Sequence, residues 1–204
     1  MILLIAGASH TGKTLLAQRM LEARHWPYLS IDHLKMGLIR SGQTALTPED
    51  DDELTAYLWP IVRELVKTAV ENRQNLIVEG CYIPANWRRD FDATYLPHIR
   101  YLCLAMTDAY IDAHFGEIMA HASDIEARLD DGYCTADWLK AENRAVRADC
   151  EQSGRRRSGS VHGFDLLFES EGGPAVWPGS RCPNYTVGRR KSQGKGLKYC
   201  EHLV

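Results

Sequence analysis

Over the first 150 residues, short apolar runs alternate with longer stretches in which apolar residues recur every three or four positions. The short runs read as buried strands and the longer ones as amphipathic helices, so the chain reads as a parallel sheet with crossover helices. Residues 2–6 form the first strand, and the segment beginning at Leu15 and Leu16 reads as a helix. Tyr28-Leu29-Ser30-Ile31 is a short second strand introduced by Pro27, and residues 32–40 read as the helix after it. Thr47-Pro48-Glu49-Asp50 offers an N-cap, a proline at N1 and acids in the first turn. A long helix is predicted to start there and to end near Asn72. Leu54, Leu58, Ile61, Leu65 and Val66 define its apolar stripe, and Pro60 is predicted to kink or split it. Residues 75–80 and 99–104 read as two more strands. Thr107-Asp108 can cap a helix running toward His121, and a last helix covers 136–150.

From Gly154 onward the periodicity is lost, and glycine, arginine and serine dominate. The chain therefore divides into a domain over 1–152 and a tail over 153–204 that reads as poorly structured or translated out of frame. The second option rests on Gly154-Arg155-Arg156-Arg157, which can be encoded so that a one-base shift reads Gly-Val-Asp-Val, a strand start.

The most specific feature lies between the first strand and its helix. Gly7-Ala8-Ser9-His10-Thr11-Gly12-Lys13-Thr14 spells G-x-x-x-x-G-K-T, a phosphate-binding loop in the strand–loop–helix context that it requires. The glycines allow successive N–H groups to turn inward around phosphate oxygens, and the helix N-terminus adds its dipole. Residues 7–15 are the predicted nucleotide-binding segment. Lys13 can supply a mobile charge to the terminal phosphates, and the Thr14 hydroxyl can ligate Mg²⁺.

Ligands of open α/β sheets bind beyond the carboxyl ends of the strands. Asp32, past the second strand, is placed there to accept a proton from a substrate hydroxyl or to orient it; it is also a good N-cap. Glu79 ends a buried strand, where it can hold Mg²⁺ through water, contact substrate, or pair with an arginine, and Gly80 leaves room beside it. Arg128, in a polar segment that could close as a lid, is the candidate for offsetting charge on the transferring phosphoryl group. Arg40 and Arg144 are candidate contacts to an anionic substrate, although single arginines are more often solvated.

The chain of 204 residues has a net charge of −3, 45% hydrophobic and 25% charged residues. That balance offers no electrostatic attraction to nucleic acid or an anionic membrane. The apolar N-terminus lacks a basic leader and runs straight into the loop, so it reads as a strand and not as a signal peptide. Six cysteines are scattered without a C-x-x-C pair, which favours reduced thiols in the cytoplasm.

With these residues in view, the chain resembles the P-loop kinases of small molecules, the group that includes adenylate, shikimate and gluconate kinases and the zeta-toxin and 2-phosphoglycerate-kinase-like proteins. The likeness rests on Gly7 to Thr14, on Tyr28-Leu29-Ser30-Ile31-Asp32 and on Leu76-Ile77-Val78-Glu79-Gly80, with the segment around Arg128 as a looser match. It covers about residues 1–150. It implies a three-layer α/β fold with a parallel sheet of order 2-3-1-4-5, ATP and Mg²⁺ as phosphoryl donor, and a small-molecule acceptor held between Asp32 and a lid. In such kinases the last strand and its loop help to hold adenine, and this sequence offers no clear counterpart. A nucleotide-binding NTPase or switch module, or a damaged kinase that only binds nucleotide, are the competing readings.

Overall fold

The computed structural model describes residues 1–125, 132–153, 155–161 and 164–169. Its sheet is built around β1 (Ile2–Gly7), whose six residues are all buried. β1 is followed by α1 (Lys13–Arg24), β2 (Tyr28–Ser30), α2 (Ile31–Arg40), α3 (Asp51–Glu71), β3 (Leu76–Glu79), β4 (Ile99–Met106), α4 (Asp108–Ala120) and α5 (Ala136–Gln152). Four strands run parallel in the order β2-β3-β1-β4, as expected. The register aligns Ile5 with Glu79, Ser30 with Glu79, and Gly7 with Leu104, which brings the ends of all four strands to one edge.

Alternation along β1 explains the layering, because successive side chains point to opposite faces of a strand. Ile2, Leu4 and Ala6 pack with Val78, Tyr101, Cys103 and the α3 residues Leu54, Leu58, Trp59, Val62, Val66 and Ala69. Leu3 and Ile5 face the other way, against Ile77, Leu102, Leu104 and the α1 residues Leu16, Ala17 and Met20. A smaller cluster of Met106, Ile111, Cys134 and Leu139 joins α4 and α5 to the end of β4. Each fully buried Leu, Val or Ile in these layers contributes about 1.5–3 kcal/mol relative to exposure.

Three local expectations need correction. The long helix begins at Asp51, not at Thr47, because the Thr47 N–H and hydroxyl both donate to the Asp50 carboxylate (2.7 and 3.0 Å) and close a turn first. It is continuous through Pro60, since its buried face runs on both sides of the proline and holds the two halves in line. That face includes Trp59 and Val62, whereas Leu65 is 43% exposed.

Beyond β4 the expected parallel fifth strand is replaced by a hairpin. β5 (Arg155–Val161) and β6 (Phe164–Glu169) pair antiparallel, and β6 lies antiparallel to β4, giving the order β2-β3-β1-β4-β6-β5. The strand leaving α5 therefore has the direction that a crossover predicts but stands one place further out, with its own return strand inserted. These two strands fall within the segment read as a poorly structured tail, and the rest of that segment lies outside the described residues.

Candidate functional site

The loop between β1 and α1 needs its first glycine for space as well as conformation. Gly7 has φ +144°, and a Cβ there would stand 2.3 Å from the Leu104 carbonyl oxygen on the neighbouring strand. Gly12 is left-handed (φ 77°) and starts α1; His10 is also left-handed (φ 59°), a cost normally spared by glycine. The turn is fixed from inside. Thr11, wholly buried, donates its hydroxyl to the Ala8 carbonyl (2.8 Å), and Lys13 Nζ donates to the same oxygen (2.7 Å). No acid lies in the first turn of α1, so its positive end is unopposed by its own side chains.

Thr14 Oγ1 donates to Glu79 Oε2 at 3.3 Å. Glu79 is 1% exposed and is carried to this point by its register with Ile5 and Ser30. The next residue, Gly80, has φ +156°, and a Cβ there would meet Ile31 Cβ at 3.0 Å. A bare backbone thus lets the end of β3 pass against the start of α2. The hydroxyl and carboxylate together form an oxygen donor pair suited to a hard divalent cation. Residues Thr14 and Glu79 fit Mg²⁺ on that chemistry.

Asp32 lies in the first turn of α2, two residues after β2 ends. It pairs with Lys35 Nζ at 2.9 Å; the Lys35 side chain is 12% exposed and that of Asp32 33%. Lys35 also donates to Tyr82 Oη (2.8 Å) and lies 5.0 Å from the Tyr82 ring centroid. Tyr82 Oη in turn donates to Asp51 Oδ1 at 2.8 Å. A chain of hydrogen bonds therefore runs Asp32–Lys35–Tyr82–Asp51, from the second strand to the start of α3. Burial pushes the Tyr82 phenol well up, and its bond to Asp51 pushes the same way. Cys81, the next residue after Gly80, is exposed.

A third group of residues reaches the loop from α5. Both the Ser9 N–H and the Ser9 hydroxyl donate to Glu142 Oε1, at 2.9 and 3.0 Å. Next to it, the wholly buried Asn143 accepts from the Met106 N–H (2.7 Å) and donates to the Leu139 carbonyl (2.8 Å). Arg147 donates to the Met106 carbonyl at 2.9 Å. The helix is thereby tied to the end of β4, which is the strand beside the loop.

Of the residues that the sequence singled out, Lys13, Thr14, Asp32, Glu79 and Gly80 gather at the carboxyl edge of the sheet. Arg40 does not join them: it is exposed at the far end of α2, eight residues or roughly 12 Å along the axis from Asp32. Arg144 is engaged with Asp108 and holds that carboxyl below the usual carboxylate range. Arg128 lies outside the described residues. Lys35, Asp51, Tyr82, Glu142 and Asn143 were not anticipated. Lys35 had a legible signal, an i+3 spacing from Asp32.

The strand order, the loop and the helix after it define a P-loop α/β fold, with a parallel four-stranded sheet flanked by helices. No family model matches the sequence, and no curated protein does either. Among solved structures, a provisionally assigned kinase from Chloroflexus aurantiacus is similar at 17% identity and a TM-score of 0.48, covering 70% of this chain and 78% of that one. A chain of an RNA repair complex is similar at 14% identity and a TM-score of 0.49, covering 74% and 45%. Shikimate kinase from Aquifex aeolicus is similar at 13% identity and a TM-score of 0.39, covering 76% and 98%. Among the described residues, no helix is long and apolar enough to cross a membrane.

Proposed function

We propose that this protein is an ATP-dependent phosphotransferase acting on a small molecule through a hydroxyl or phosphate acceptor. The observation that supports the reading is the placement of the phosphate loop, with Lys13 and Thr14, and of the Asp32–Lys35 pair at the same carboxyl edge of the sheet, where Glu79 bonds to Thr14 and stands in register with Ser30. A donor loop and a carboxylate facing one space are what in-line phosphoryl transfer needs, since catalysis there is mostly positioning and charge stabilisation.

In this reading the loop N–H groups and Lys13 hold the triphosphate, with Lys13 leaving the Ala8 carbonyl for phosphate oxygens. Thr14 and Glu79 hold Mg²⁺, which offsets phosphate charge when bound. Asp32 accepts the proton of the attacking hydroxyl, and Lys35 fixes its orientation. Arg128 is the proposed lid arginine. The reading has a cytoplasmic enzyme in view, with no nucleic acid as substrate.

The test is transfer of labelled γ-phosphate from Mg·ATP to a panel of nucleotides, sugars, sugar acids and phosphoglycerate. Lys13→Ala should remove transfer by a factor of about 10³ or more, given the weight of a charge-assisted contact in a dry site. Turnover that survives this change removes the mechanism.

A further inference from the structure

The loop's donors are not all turned toward an open space, because two of them are taken by a carboxylate from a distant helix. Ser9 offers its N–H and its hydroxyl to one oxygen of Glu142, 133 residues away in sequence. The other oxygen, Glu142 Oε2, is buried and has no hydrogen-bond partner among the described residues. A carboxylate with one oxygen buried and unpartnered is a costly arrangement, and it persists only where the surroundings hold it. Here the holding is visible. Asn143, wholly buried, clamps the Met106 N–H, and Arg147 takes the Met106 carbonyl, so the helix cannot drift from the loop.

Ser9 is the third residue of the eight-residue loop, on the side that leaves β1, away from the helix N-terminus at Lys13. Loop amides close to the helix cradle the inner phosphates, and Lys13 reaches outward to the terminal ones. The Ser9 donors therefore belong to the outer end of a bound polyphosphate chain. A carboxylate and a phosphate are both oxyanions and cannot share the same two donors.

We propose that Glu142 is the residue by which this site weighs a nucleoside triphosphate against a diphosphate: its carboxylate holds the Ser9 donors that the terminal phosphate takes, and must be displaced for that phosphate to seat. The inference rests on the nucleotide-binding reading above and adds to it a named competitor. A diphosphate, ending short of Ser9, leaves Glu142 in place and meets little opposition. A triphosphate must break two hydrogen bonds and bring negative charge against a carboxylate in a partly buried setting, where like charges a few ångströms apart repel strongly.

The experiment is calorimetric titration of the full chain with Mg·ADP and with a non-hydrolysable Mg·ATP analogue, for wild type and Glu142→Gln. Gln keeps an oxygen for Ser9 and removes the charge, so folding is retained; Glu142→Ala serves if it is not. The expected result is about tenfold tighter binding of the triphosphate analogue and less than twofold change for ADP. Equal change for both nucleotides, no change, or weaker triphosphate binding overturns the proposal. Binding of the analogue by Glu142→Gln alone supports it. If neither variant nor wild type takes up either nucleotide, the nucleotide-binding reading falls, and this inference with it. Wild-type binding with an indifferent Glu142→Gln removes only the role of Glu142.

Discussion

Asn143 is the side chain whose removal should be felt both in stability and at the loop. It is wholly buried, and its carboxamide oxygen takes the Met106 N–H at 2.7 Å while its amide group takes the Leu139 carbonyl at 2.8 Å. The second bond is within the helix and contributes little, because that carbonyl keeps its helical surroundings. The first is the important one. Asn143→Ala leaves a buried backbone N–H without its acceptor, which costs about 1–3 kcal/mol. The void left by the carboxamide adds roughly 1 kcal/mol where the helix cannot collapse onto β4. Together they amount to about 2–4 kcal/mol, or a drop in Tm of roughly 5–15 °C for a domain of this size. Asn143→Leu fills the void but still lacks the acceptor, so it should lose only about 1–3 kcal/mol. Thermal unfolding followed by circular dichroism measures both. If both variants melt within about 2 °C of wild type, the carboxamide is not the tie between α5 and the sheet, and the account of how Glu142 is held fails too.

Gly7→Ala should be among the most damaging single-methyl changes in the chain, because the new Cβ would meet the Leu104 carbonyl at 2.3 Å on a backbone at φ +144°. We expect loss of about 3 kcal/mol or more in urea unfolding, or no soluble protein; a neutral result would mean that β1 and β4 separate more easily than their register implies. Tyr82→Phe removes the hydroxyl that links Lys35 to Asp51 and should cost about 1–2 kcal/mol, with transfer in the acceptor screen falling about tenfold. Unchanged stability and transfer would separate that chain from function. Cys81 is exposed, whereas Cys103, Cys134 and Cys150 are buried. Alkylation by iodoacetamide at pH 7.5, followed by peptide mass spectrometry, should label Cys81 before those three, and equal labelling of all four would contradict that ordering.

The parallel strands and their crossover helices were legible because β1, β3 and β4 are buried on both faces and read as continuous apolar runs. The loop was legible because its glycines and lysine are fixed by backbone geometry, at a spacing that few other structures require. What the sequence hid was long-range. Glu142 lies in a helix whose pattern shows only which face is buried, and nothing local distinguishes it from Glu151 on the same helix. Asp51 was obscured in another way: in a run of five acids the helix dipole accounts for all of them alike, and Asp51 is distinguished by its bond from Tyr82. The start of α3 was misplaced because Thr47 and Asp50 satisfy each other before the helix begins, a local competition that capping rules do not resolve. The hairpin after α5 had no signal of its own, since its place in the sheet depends on β4 offering an edge.

The passage from β2 to α2 has no connecting loop: Ser30 closes the strand and Ile31 opens the helix. The candidate base is therefore as rigidly mounted as the sheet itself, and it has no hinge through which evolution could re-aim it. Any change in where that carboxylate points must come through the sheet itself or through Lys35, the side chain that pairs with it.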